Sequence, residues 1–240
     1  MTTPMIDLDS TLAEIVDSDS AAVRVLMRHR LDFCCGGDRT LAAACAEAGL
    51  DPAAVRRDLA GTTAVDVTPP WVGLAADDLV DHIESTHHAY LHSELGVLVD
   101  LASTVLGVHG VNHPELSGVH AGLVALRDDL EPHLAKEERV LFPLVRALAR
   151  GEDLPPVGPG SVRPPVTMMM AEHERTGALL DQLRRSAQDF VPPNDACASY
   201  RSLYAALQEL DADVRLHVHK ENNVLFPMAV ALETGATSPT

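Results

Sequence analysis

The chain has 240 residues, a formal charge of −17 at neutral pH, 46% apolar residues and only 3% aromatics. So acidic a chain argues against nucleic acid and anionic membranes as partners, because both are recognised through basic patches. Leu, Val and Ala dominate the apolar share, as in packed helices. No charged-then-apolar leader opens the sequence, and no apolar run reads as a membrane span, so a cytoplasmic all-α protein is expected.

Residues 1–61 read as a small helical domain. The segment DSTLAEIV carries an N-terminal capping pattern, Asp19-Ser20 precede AAVRVLMRHR, and Asp51-Pro52 open PAAVRRDLA with Pro in its first turn. Between these helices lies LDFCCGGDRTL. Adjacent Cys34 and Cys35 have α-carbons about 3.8 Å apart, closer than an unstrained disulfide allows, so two reduced thiols are expected. Gly36-Gly37 let the chain turn sharply and expose the sulfurs. The pair is a candidate for functional thiols, or simply two small residues filling a turn. Cys45 and Cys197 fall within helical patterns and are expected to be buried.

Residues 62–73, beginning TTAVDVTPPW, break the helical pattern and read as a linker. A four-helix bundle is expected over 74–233, with a Pro/Gly-rich crossover at 151–165 and a flexible tail at 234–240. Pro132 stands inside the second bundle helix, where it removes one backbone hydrogen bond and should bend the helix.

The bundle writes one pattern twice. Residues 133–148 read HLAKEERVLFPLVRAL and residues 217–232 read HVHKENNVLFPMAVAL. His133 with Glu137, and His217 with Glu221, stand four residues apart, on one helical face and about 6 Å apart along the axis. Both pairs continue apolar stripes: Leu123, Leu126, Leu130, His133, Glu137, Val140, Leu141, Leu144 in one helix, and Tyr200, Leu203, Leu207, Leu210, Val214, His217, Glu221, Val224, Leu225, Met228 in the other. A buried carboxylate must be neutralised or bind a cation. One such pair is best read as a buried His–Glu hydrogen bond; two in matching stripes point to metal.

Extending the repeat supplies further ligands. His173 lies on the stripe Val166, Met169, Met170, His173, Leu180, Leu183, 44 residues before His217. His88 lies 45 residues before His133, and superposing it on His173 aligns Leu95 with Leu180 and Leu98 with Leu183. The helical wheel of this segment alone favours His87 instead; the repeat selects His88. His109 and His113 read as part of a connection, and His120 is too far along its helix to share the site. His92 and His219 are expected to face outward or to support the ligands, and Glu172, Glu174 and Asp129 to lie on the solvated surface or, as the lesser alternative, to orient ligands or relay protons. Four His and two Glu suit iron better than magnesium or calcium, without the thiolates of a structural zinc site; zinc and manganese fit the same residue types. Two carboxylates do not balance two ferric ions, so an oxo or hydroxo bridge is expected beside two bridging glutamates.

These motifs together resemble one family. DFCCGGDRTL is similar to the N-terminal motif of the repair-of-iron-centres (RIC) proteins, and HLAKEERVLFP, AEHERTG and HVHKENNVLFP resemble their hemerythrin-like bundle. The resemblance covers nearly the whole chain. It implies two non-haem irons held by His88, His133, Glu137, His173, His217 and Glu221, with both glutamates bridging. It also implies cytoplasmic restoration of iron–sulfur clusters after oxidative or nitrosative stress, by donating iron or processing nitric oxide, with damaged iron–sulfur proteins as clients. A gas-binding module for O₂ or NO is the alternative, and the Cys-Cys-Gly-Gly segment, for which a carrier has no evident use, weighs against it. Monomer and homodimer both remain open.

Overall fold

The computed structural model describes residues 6–61, 69–154 and 160–235. Parts of the expected linker and crossover, and most of the expected tail, lie outside these residues. Eight helices and no β-strand make up what is described, as the all-α reading anticipates.

Four short helices come first. Helix α1 (Leu12–Ser18) starts from a capping box in which the Thr11 side chain accepts from Glu14 N–H and the Glu14 carboxylate accepts from Thr11 N–H. Helices α2 (Ala22–Arg28) and α3 (Leu41–Ala48) follow, then α4 (Pro52–Ala60), which Asp51 caps ahead of Pro52. Four long helices form the bundle. Helix α5 spans Ala76–His109 with a π turn at Glu84–His88. Helix α6 runs Glu115–Lys136, makes a π turn over Glu137–Leu141 and continues through Phe142–Ala149. Helix α7 is Arg163–Ser186, with prolines in its first turn that shorten the expected crossover. Helix α8 is Ala198–Lys220, a π turn at Glu221–Leu225, and Phe226–Thr234. Pro132 sits inside α6 without ending it.

The π turns correct the expected stripes. Each inserts an i→i+5 bond: Ala89 N–H to Glu84 C=O, Phe142 N–H to Glu137 C=O and Phe226 N–H to Glu221 C=O. The extra residue rotates everything beyond it by about one position. Val140, expected on the buried stripe, is exposed, and Phe142 and Val145 are buried; in α8 the inward positions after the turn are Leu225, Phe226 and Ala229. In α7 the inward face takes Glu172 and Thr176 beside His173, and Met170 is exposed. Contrary to expectation, one helix, Ala76–His109, is long and apolar enough to cross a membrane by composition, at mean hydropathy 1.4. Its inward face carries Leu79, Ile83, His88, Leu91 and Leu95, packed in the bundle.

The N-terminal helices are not packed apart from the bundle. One continuous core runs from Leu12, Leu26 and Phe33 to Leu126, Leu207 and Phe226. The 33–40 segment is held by Leu12 N–H to Arg39 C=O and Ala13 N–H to Gly37 C=O, and it presses against α8. Asn223 Nδ2 donates to the Cys34 carbonyl (3.1 Å), and Asn222 Nδ2 donates to the same oxygen (3.2 Å). His219, expected to face outward or to support the ligands, is fully buried beneath these helices, its Nε2 2.9 Å from Asp17 Oδ1. Asp17 also accepts from Trp71 Nε1, and Lys220 lies over the Trp71 ring.

Gly37 is required by this contact. A Cβ there would stand 2.5 Å from Asn223 Oδ1 and 2.7 Å from the Phe33 carbonyl oxygen, while one at Gly96 of α5 would meet nothing within 4 Å. Gly37→Ala is expected to lower stability by about 1–3 kcal/mol, and Gly96→Ala to raise it by about 0.5–1 kcal/mol. Thermal unfolding of the two variants checks both signs.

Candidate metal centre

Six side chains converge in the middle of the bundle: His88 from α5, His133 and Glu137 from α6, His173 from α7, His217 and Glu221 from α8. All are at most 1% exposed. They form two groups of four, His88, His217, Glu137 and Glu221 on one side and His133, His173, Glu137 and Glu221 on the other, with the ligand atoms of each group within 4.8 Å of one another. The glutamates belong to both. Glu137 turns Oε2 toward His88 Nε2 (3.5 Å) and Oε1 toward His133 Nε2 (3.3 Å); Glu221 turns Oε1 toward His217 Nε2 (3.1 Å) and Oε2 toward His173 Nε2 (3.2 Å). Each carboxylate thus offers one oxygen to each group.

The outer nitrogens settle which way the rings face. His88 Nδ1 donates to Glu138 Oε1 (2.9 Å), His133 Nδ1 to Glu172 Oε2 (2.9 Å) and His173 Nδ1 to Asn222 Oδ1 (2.8 Å). Carboxylate and amide oxygens accept, so these three rings carry their proton on Nδ1 and aim the Nε2 lone pair inward. Yet His133 and His173 bring their Nε2 atoms to 3.1 Å, and His88 and His217 to 3.2 Å. The inward lone pairs of His133 and His173 repel at that distance unless a cation, metal ion or proton, lies between them. The carboxylates make the same demand: all four oxygens of Glu137 and Glu221 are buried without a hydrogen-bond partner. With no metal bound, burial works against a second proton on His133, but Glu137 and Glu221 raise its pKa to about 9, so a proton takes the inward nitrogen: the response of a site short of positive charge. The donor set therefore fits metal ions.

Phe142 packs on His88 and Phe226 stacks flat on His173, closing the site with apolar surface. Glu172 takes the lesser of its two expected places: it orients His133 and pairs with Lys136; burial opposes its ionisation, and Lys136 and His133 hold its carboxyl below the ordinary glutamate range.

Known proteins match this architecture in both parts. The hemerythrin HHE cation binding domain matches residues 79–229, and a domain of unknown function (DUF542) matches residues 8–62. The chain is 31% identical over 226 residues to the iron–sulfur cluster repair protein YtfE of Escherichia coli O157:H7, covering 94% of this chain and 98% of that protein. It is 32% identical to the YtfE of Enterobacter sp. (strain 638) and 31% to that of Shigella boydii serotype 4 (strain Sb227), with the same coverage. The chain belongs to the repair-of-iron-centres family.

Other candidates of this RIC chain fall into place around the centre. His87 is buried but turns away from both groups: its Nδ1 meets Asp213 Oδ1 at 2.8 Å and its Nε2 meets Lys220 Nζ at 2.7 Å. The α-period wheel favours His87 because it omits the π turn, which sets His88 five residues after inward-facing Ile83. His92 is exposed and bonds Glu138. Cys34 is buried, less open than the Gly-Gly turn suggests, and Cys35 is partly buried; neither is in a disulfide. Cys45 is buried. Cys197, expected to be buried, is exposed, because it stands at the start of α8 rather than inside it, 3.1 Å from His109 Nε2. Sequence reasoning passed over Asn222 and Glu138; their one available signal was position, each directly after a repeat glutamate.

His88→Ala is expected to reduce bound metal to one equivalent or less, because one of the two groups keeps a single imidazole. His87→Ala should retain both equivalents and cost about 1–3 kcal/mol of stability through its lost buried hydrogen bonds. Metal content after gel filtration and thermal unfolding separate the two; the opposite order of metal loss would assign the ligand to His87.

Proposed function

We propose that this chain repairs iron–sulfur clusters damaged by oxidative or nitrosative stress, using two non-haem irons in the bundle and the thiols of Cys34 and Cys35. The observation that carries the reading is the pair of buried, unpartnered carboxylates facing four imidazoles, joined through one side chain to the Cys-Cys turn. His88 and His217 would hold one iron and His133 and His173 the other, with Glu137 and Glu221 bridging them. Charge balance favours an oxo- or hydroxo-bridged resting pair. Bound there, iron supplies redox chemistry and affinity for small gases such as NO and O₂.

The chain's own groups do the positioning. Glu138, Glu172 and Asn222 fix three ring orientations, and the Phe142 and Phe226 rings keep water from those imidazoles. Asn222 reaches both ways: its Oδ1 accepts from His173, and its Nδ2 donates to the Cys34 carbonyl. Iron–sulfur proteins of the cytoplasm are the clients this reading requires, in a compartment that keeps the thiols reduced.

The test is recovery of a cluster-dependent dehydratase after nitric oxide treatment. Iron-loaded wild-type protein should restore activity. Cys34→Ser with Cys35→Ser should keep its iron and lose most of the recovery, because serine replaces neither a soft ligand nor a thiolate nucleophile. No recovery with the iron-loaded wild type would favour a gas-binding module, and equal recovery with the variant would detach the thiols from repair.

A further inference from the structure

A second group of metal-ligating atoms lies outside the bundle centre. Asp32 Oδ1, Cys34 Sγ and Cys35 Sγ stand within 4.8 Å of one another, with Asp32 Oδ1 3.1 Å from Cys34 Sγ and the two sulfurs 3.9 Å apart. Asp32 is held in place for this: its Oδ1 also accepts from Cys34 N–H (3.1 Å) and Cys35 N–H (3.0 Å). All three residues line a cavity of about 340 Å³ between the 30–35 segment and helices α7 and α8, walled in part by Glu174, Gly177 and Arg215.

We infer that Asp32, Cys34 and Cys35 form a second metal site, for a single thiophilic divalent cation such as Fe(II), open on its cavity side. The sulfur spacing is the main argument. Two thiolates on one tetrahedral metal, with bonds of about 2.3 Å, stand about 3.8 Å apart, and the pair is already at 3.9 Å. A disulfide would require the same sulfurs to close to about 2.05 Å across adjacent residues, against ordinary geometry. Metal binding needs no such movement, only release of the thiol protons. Three protein donors leave a fourth position facing the cavity, the arrangement of a site that exchanges ligands rather than one that only stabilises a fold. A thiolate from another protein is the class of ligand that completes it.

The site also has a physical connection to the bundle centre. Asn222 Nδ2 lies 3.9 Å from Cys35 Sγ while its Oδ1 accepts from His173 Nδ1, so one carboxamide separates the two. The inference goes beyond the repair reading and is tested without any client protein.

The experiment uses full-length protein holding two irons per chain, freed of any further iron by a chelator and gel filtration, with reduced thiols and Cys197→Ser, which removes the exposed cysteine. Titration with Co(II), followed as a difference spectrum, should show one equivalent bound with sulfur-to-cobalt charge-transfer absorption. Cys35→Ser, at the more accessible sulfur, should remove most of that absorption with unchanged circular dichroism. Asp32→Asn keeps the acceptor for both backbone N–H groups but not the charge, and should weaken binding about tenfold or more. Absence of the band with thiols confirmed reduced, or an undiminished band in Cys35→Ser, would overturn the inference. A protein that binds cobalt here yet restores no client would keep this site and lose the repair reading; the reverse result would do the opposite.

Discussion

Glu137 and Glu221 are placed where a carboxylate is most costly: at the centre of a helical bundle, fully buried, with no hydrogen-bond donor on any of their four oxygens. Much of the surrounding structure follows from that constraint. Four imidazoles surround the pair, three of them turned by outer acceptors so that their lone pairs point in, and aromatic rings cover two of them. Such an interior fits metal ions at its centre. The bundle and the candidate site are in this sense one object, since His133 and Glu137 occupy core positions between Leu130 and Leu141, and His217 and Glu221 between Val214 and Leu225.

The duplicated His-x-x-x-Glu made most of this legible before any coordinates. The i, i+4 pairs, the repeat interval and the apolar stripes placed six residues on inward faces, and those six converge. What the stripes missed is the π turn. Glu137 and Glu221 each open one, and His88 closes one. A wheel drawn at 3.6 residues per turn drifts by a residue across each, which is why it put Val140 inside and preferred His87. Comparing the two halves set His88 against His173 instead, because the alignment rests on Leu95 with Leu180 and Leu98 with Leu183, all buried, with Leu95 and Leu98 beyond the π turn.

Tertiary partners were the least legible feature. Nothing in HVHKENN states that His219 and Asn223 face the N-terminal helices while Asn222 faces both a ligand imidazole and the Cys34 carbonyl. Those roles depend on how the Cys-Cys-Gly-Gly turn docks, and Gly37 permits that docking by its lack of a side chain. The docking changes how the two parts of the chain relate: a segment that reads as a separate domain shares its core with the bundle and reaches His173 of the candidate centre through Asn222. Glu172 illustrates the same limit. Between exposed-looking charges it reads as surface, and only the packing of α7 on α6 shows it behind His133.

Two buried glutamates, each facing both groups of imidazoles, call for two metal ions that share them. Elemental analysis of protein purified from iron-replete cells, combined with Mössbauer spectroscopy, tests this sharing most directly. About two irons per chain are expected, magnetically coupled through their bridges. One iron per chain, two uncoupled irons, or stoichiometric zinc in place of iron would contradict it.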